Sequence, residues 1–204
     1  MKNYIFASIG IFSSILGLAQ KDLNIKYKLR AQIYASSAIE DTSAFGGFGG
    51  SSNIPKFITE NFREDGFFLK IDTLKTTVID RKHNGYKLFI VNKTDSIVRL
   101  PASDSRLSVV AQAYIDNKWQ DIEYLPSSWC GNSYHIVSIM PNQYWEFEIP
   151  KFVGKINTRL RYQIYLGKEK KYLYSNEILA SINKKQLQVK QGHEPQGLMD
   201  PYND

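Results

Sequence analysis

The sequence predicts an all-β protein, an antiparallel β-sandwich, and three observations carry that expectation. Apolar residues recur at every second position over much of the chain, the spacing that puts alternate side chains on opposite faces of a strand. Gly, Asn, Asp and Pro punctuate these runs at short intervals, as turns require. No long run carries a helical period, which favours a sandwich over a parallel α/β sheet built from crossover helices. The 204 residues are 43% hydrophobic and 23% charged, which suits about one domain with a substantial core. That composition argues against a wholly disordered, collagen-like or multi-span membrane chain. A single Cys excludes an internal disulfide framework and an all-Cys zinc site.

The chain opens MKNYIFASIGIFSSILGLA, in which Lys2 precedes an apolar stretch interrupted only by Gly and Ser. The stretch is short against the roughly 20 residues of a spanning helix, and it ends in the small-x-small pattern Gly17-Leu18-Ala19. Residues 1–19 are therefore expected to be a signal peptide, cleaved to leave Gln20 at the new N-terminus, with no transmembrane span afterwards. The alternative is an anchor that stays attached. No Cys follows the run, so lipid attachment there is not expected. This predicts an exported protein, placed in the periplasm, at the outer membrane or outside the cell.

Residues 20–35 read as a first strand. Leu23, Ile25, Tyr27, Leu29, Ala31 and Ile33 take one face, while Lys26, Lys28, Arg30 and Gln32 take the other. Residues 36–66 read as a flexible Gly/Ser-containing connector around FGGFGGSS. Its functional alternative is a binding loop in which Phe45 and Phe48 meet a partner. Residues 67–185 carry the main sandwich. Its clearest strands alternate through Leu107 to Ile115, Trp145 to Ile149 and Leu160 to Leu166. Further strands are expected over 67–71, 74–80, 86–91, 97–100, 119–125, 134–140 and 172–182. A phase slip near Asp72-Thr73 predicts a bulge. Turns are expected at His83-Asn84-Gly85, Asp116-Asn117, Pro141-Asn142 and Gly167-Lys168. Residues 186–204, QLQVKQGHEPQGLMDPYND, read as a polar, largely disordered tail.

Short motifs carry a family resemblance: Leu160-Arg161-Tyr162-Gln163-Ile164, then Tyr174-Ser175-Asn176-Glu177-Ile178, with the turn Met140-Pro141-Asn142-Gln143. Over residues 86–182 the chain resembles the immunoglobulin-like β-sandwich domains of small exported bacterial proteins. Such domains close with a Tyr-containing strand, a variable hairpin and a last strand begun by Ser-Asn-Glu. The resemblance spans about half the mature chain. It implies a fold and carries no catalytic set. The paired Cys around a Trp that marks antibody domains is absent.

His83, His135 and His193 are widely separated and lack metal-ligand spacing, so no metal and no cofactor are expected. His135 lies near Cys130 in sequence, the pairing a reactive thiol needs, although a lone Cys more often acts as a small core residue. Glu146 and Glu148 share one strand face about 7 Å apart, a spacing compatible with glycoside chemistry but common on any wet strand. There is no Gly-x-Ser-x-Gly elbow, and FGGFGGSS lacks the Lys and the strand-to-helix setting of a phosphate loop. The excess of 26 Lys+Arg over 20 Asp+Glu reads as protection of strand edges. An anionic polymer or lipid of the envelope is its alternative partner, and nucleic acid is not expected. Trp129 and Tyr134 are candidate contacts; Trp129-Cys130-Gly131, in a loop bounded by Pro126 and Asn132, is alternatively a plug for one end of the sandwich.

The sequence thus predicts a non-catalytic exported protein binding another protein or an envelope polysaccharide, with Phe45, Phe48, Trp129 and Tyr134 as candidate contacts. Two alternatives stand beside it: a structural or assembly subunit held by strand addition, and a hydrolase using Cys130/His135 or the acidic pair.

Overall fold

The computed structural model describes residues 20–41, 50–126, 131–167 and 171–188. In chain order these form β1 (Leu29–Arg30), β2 (Lys56–Phe57), β3 (Phe67–Ile79), β4 (His83–Asn92), β5 (Val98–Ser103), β6 (Arg106–Leu107) and β7 (Val109–Ile115). There follow β8 (Lys118–Asp121), β9 (Glu123–Tyr124), β10 (Tyr134–Ile139), β11 (Gln143–Pro150), β12 (Ile156–Tyr165), β13 (Tyr172–Tyr174) and β14 (Ile178–Ile182). The described chain is all-β. Its only helical turns are two short 3-10 segments, Gly131–Ser133 and Lys184–Leu187.

One sheet runs β2-β11-β4-β3. A second runs β8-β7-β12, with β13 and β14 both pairing with β12 on its far side. A third, β10-β5-β6, is smaller, and all these pairings are antiparallel. The alternation seen in the sequence sets the faces. On β12, Leu160, Tyr162 and Ile164 are buried while Arg161, Gln163 and Tyr165 lie half-exposed between them. The inward residues of all three sheets share one core, including Leu88, Leu100, Ala111, Trp145 and Tyr162. Each large apolar side chain enclosed there stabilises the fold by roughly 1.5–3 kcal/mol. Trp145 is fully buried, and its indole N–H donates to the Ser36 carbonyl at 3.0 Å, so its one polar atom is satisfied.

Residues 20–35 are extended but pair in pieces. Lys21 and Leu23 bridge to His83 and Phe152 beside the first sheet. Leu29 and Arg30 then pair in parallel with Glu123 and Tyr124. Beyond them the Leu107 N–H donates to the Ile33 carbonyl, and the Ala35 N–H donates to the Ser105 carbonyl. The segment is a strap crossing from one sheet to the others, with Ile25, Ala31, Ile33 and Ala35 buried beneath it.

Part of the segment expected as a connector is also built in. Lys56 and Phe57 pair with the edge of β11. Phe62 is buried with Phe89, Val91 and Tyr144 in a second, small core. Its ring meets Phe68, Phe89 and Tyr144 edge-on at 5.3–5.8 Å, the geometry that aromatic quadrupoles favour.

The bulge expected near Asp72-Thr73 is present as a register shift between Asp72 and Thr76. Asp72 caps it by accepting the Leu74 and Lys75 N–H groups at 2.9 and 3.3 Å. The turn expected at His83-Asn84-Gly85 is not there; those residues lie inside β4. The chain reverses instead at Asp80-Arg81, both left-handed at φ 50° and 57°, as a type I′ hairpin requires. Gly85 answers a different need. A Cβ on it would stand 2.6 Å from the Ile149 carbonyl oxygen of β11, so only glycine permits that approach. Asp116-Asn117 forms the expected hairpin turn, and Asp104-Ser105 forms another of the same hand.

Candidate functional site

The outer face of the β8-β7-β12 sheet is where planar side chains gather. Tyr114 and Trp119 are register partners across β7 and β8, with ring centres 5.2 Å apart. On β12 the outward Arg159 and Arg161 alternate with the core residue Leu160 and lie over these rings. The Arg159 guanidinium is 4.3 Å from the Tyr114 centre. The Arg161 guanidinium sits between Trp119 and Tyr174, 4.1 and 3.8 Å from their centres. Such stacks add about 0.5–2 kcal/mol each and hold the guanidiniums in fixed planes. Glu177 pairs with Arg159 at 2.7 Å, which closes that end of the row.

Beside this row the face becomes concave, for a backbone reason. The strand begun by β8 leaves the sheet at Ile122 and continues as β9 against β1. The departure deprives the Ala111 N–H of a backbone acceptor, and the Glu123 carboxyl supplies one at 3.0 Å. Burial pushes that carboxyl up to about 8, the Ala111 hydrogen bond only partly opposing it. The gap left by the diverging strand is a cleft of about 360 Å³ lined by Lys28, Val110, Asp121, Gln163, Tyr165 and Tyr172, among others.

The polar groups of the cleft are held in place. The Gln112 and Gln163 amides both donate to one oxygen of Asp121, at 2.8 and 3.3 Å, and Arg161 Nε donates to Gln112 Oε1 at 3.0 Å. Tyr165 and Tyr172 are register partners with ring centres 5.4 Å apart, inclined at 45°. Tyr172 is 46% exposed. A carboxylate, an amide, an ammonium and two rings around one cleft suit a ligand with many hydroxyls and apolar C–H faces.

Of the residues singled out in the sequence, Phe45, Phe48, Trp129 and Cys130 lie outside the described residues. Tyr134 begins β10 opposite Ser103 and is 58% exposed. The His135 Nδ1 lies 3.0 Å from the Ser133 carbonyl. Glu146 and Glu148 both pair with Lys87, at 2.9 and 3.1 Å, and Glu148 also accepts from Thr77. The Thr77 hydroxyl and Lys87 together hold the Glu148 carboxyl below its ordinary range. Among the described residues no three His, Cys, Asp or Glu side chains group as metal ligands. No described helix is long and apolar enough to cross a membrane.

Tyr165, Tyr172, Arg159 and Asp121 were not among the sequence candidates. A signal for some of them was present, because RLRYQIY puts Arg, Arg, Gln and Tyr on one wet face where Lys and Glu are commoner. No family model, curated protein or solved structure matches the chain.

Proposed function

We propose that the protein is an exported, non-catalytic binding protein with an immunoglobulin-like sandwich, whose ligand is an envelope polysaccharide. The observation that carries this reading is the cleft flanked by Tyr165 and Tyr172, in which Asp121 is pinned by two glutamine amides. Sugars present hydroxyls in fixed directions and a C–H face, and this set offers a partner for each. Lys28 and the neighbouring Arg row favour a polymer carrying acidic groups. The export expectation supports such a ligand, since the envelope is where those polymers are met. The pairing of Glu146 and Glu148 with one lysine supports a binding role over acid–base catalysis by that pair.

The test is retention of the protein by purified acidic and neutral envelope polysaccharides in affinity electrophoresis. Tyr172→Ala is expected to weaken retention about tenfold while leaving the melting temperature unchanged, because the ring is half-exposed. Equal retention of wild type and variant, or none by any polysaccharide, would rule the reading out.

A second reading, assembly by strand addition, is favoured by one observation. β10 pairs with β5 on one side, and on its other side Ser138 meets Ser37 and Ala38. Tyr134 and Ile136 are exposed on that strand.

A further inference from the structure

On the outer face of the second sheet, Arg161 is fixed in place and yet carries no ion pair among the described residues. Its neighbour Arg159 is taken by Glu177 at 2.7 Å, and Glu177 acts on Arg161 only at longer range. The Arg161 guanidinium lies between the Trp119 and Tyr174 rings, and its Nε donates to Gln112 Oε1 at 3.0 Å. The two rings set its plane, and the Nε bond sets its rotation within that plane. The terminal nitrogens Nη1 and Nη2 have no protein partner among the described residues and are not closed off from solvent. Partial burial pulls the guanidinium below its ordinary range, so the surroundings disfavour a charge that no acid balances. What remains is an oriented fork of N–H donors with nothing to accept them.

We infer that this fork seats the carboxylate of a uronic acid, so that the polymer bound at the cleft is a polyuronate, an assignment that rests on the polysaccharide reading above. With Nε taken by Gln112, the side-on approach to the guanidinium is closed and the end-on approach through Nη1 and Nη2 is open. A carboxylate pairs bidentately with such a fork and continues its plane. The Trp119 and Tyr174 rings flank that plane at stacking distance, 4.1 and 3.8 Å from the guanidinium centre. A phosphate or sulfate is tetrahedral and would turn oxygens out of the plane toward the rings. Lys28, lining the cleft, is a point charge that attracts any of these anions, whereas Arg161 separates them by shape. Gln112 stands between Arg161 and Asp121, its amide engaged by both, which keeps the Asp121 carboxylate off the fork. Position fits as well. Arg161, Gln163 and Tyr165 follow one another on the outward face of β12, with about 7 Å between successive side chains. A polymer laid along β12 with one sugar against Tyr165 and Tyr172 therefore carries another sugar past Arg161.

The probe is glucuronate, added to the protein in its native, processed form and compared at fixed ionic strength with glucose and inorganic phosphate. The Nε–H resonance of Arg161, identified by its loss in Arg161→Lys, reports on the fork. Glucuronate is expected to shift it saturably, glucose not at all, and phosphate about tenfold more weakly than glucuronate. Arg161→Lys keeps the charge and loses the fork. The Trp119 indole N–H resonance, expected to move with glucuronate in wild type, is expected to stay still in that variant. The wild-type titrations decide the matter even if the variant folds poorly. No saturable Arg161 shift with glucuronate would overturn the inference. So would phosphate binding as tightly as glucuronate, or an unchanged Trp119 response in a folded Arg161→Lys protein. A polysaccharide held through Tyr172 while Arg161 stays silent to glucuronate would strike out the carboxylate seat and keep the cleft's role. A saturable Arg161 response with no polysaccharide retained would keep the seat and strike out the polysaccharide.

Discussion

Glu123 stands where a strand changes sheets, and its carboxyl does what a backbone carbonyl would otherwise do. Its ordinary range is near 4.5 and burial raises it to about 8 in the fold. Below about pH 4.5 the carboxyl is protonated in both folded and unfolded chains, and its contribution is fully present. Between 4.5 and about 8 only the unfolded chain ionises, so stability falls as pH rises, and above 8 the contribution is gone. Glu123→Gln keeps an acceptor for the Ala111 N–H and cannot ionise. The stability of the variant minus that of wild type is therefore expected to grow by several kcal/mol from pH 5 to 8.5. Urea unfolding at intervals across that range measures it, and a difference independent of pH would refute the assignment. Gly85 gives a second prediction at this scale. Gly85→Ala forces a methyl to within 2.6 Å of a backbone oxygen that cannot turn aside, and is expected to cost about 1–3 kcal/mol in thermal unfolding. Both residues show what a sequence conceals. Gly85 follows Asn84 and looks like turn chemistry, but its requirement is set by Ile149, which is remote in the chain. Glu123 sits among residues that read as a strand, and nothing local says that its side chain turns inward.

At the scale of elements, alternation was legible and interruption was not. Residues 172–182 read as one strand, yet β13 and β14 are separated by Ser175-Asn176-Glu177. The break has a purpose in the packing. The Ser175 N–H donates to the Tyr162 carbonyl while its hydroxyl accepts the Tyr162 N–H, so the pairing with β12 continues through it. The Asn176 amide then reaches the outer edge of β3, accepting the Ile71 N–H at 2.7 Å and donating to the Ile71 carbonyl at 3.1 Å. One side chain thus stands in for a strand and joins two sheets. Asn176→Ala is expected to lower stability by about 1–3 kcal/mol and to speed amide exchange at Ile71 more than at Ile90. Equal acceleration at both amides would mean that the loss is global and the clasp unimportant. The hairpins teach a related lesson. Asp116-Asn117 was legible because Asn tolerates the left-handed region, whereas Asp80-Arg81 was not, because nothing in Arg favours it.

For the whole molecule, the all-β class followed from period two and the lack of helical runs, and the described strands bear it out. The cleft beside Tyr165 and Tyr172 was not legible, since it exists only because β8 and β9 belong to different sheets. The strap has the widest reach. It places Ile25, Ile33 and Ala35 in the core, and it leads into Ser36, whose carbonyl accepts the Trp145 indole N–H. A chain beginning after residue 35 is expected to keep its far-ultraviolet β signal, lose its near-ultraviolet aromatic signal and bind hydrophobic dye. A sharp, cooperative melt of that truncated chain would show that the sheets hold without the strap.

The strap also sets an order of events. It is made before every strand it touches, and its partners lie near His83, Arg106, Glu123 and Phe152. Local pairing cannot satisfy it, so it waits until most of the chain exists before it can dock, and closing such distant loops is slow. A polypeptide arranged in this way stays threadable from its N-terminus while it is being synthesised. It locks only when its far end arrives.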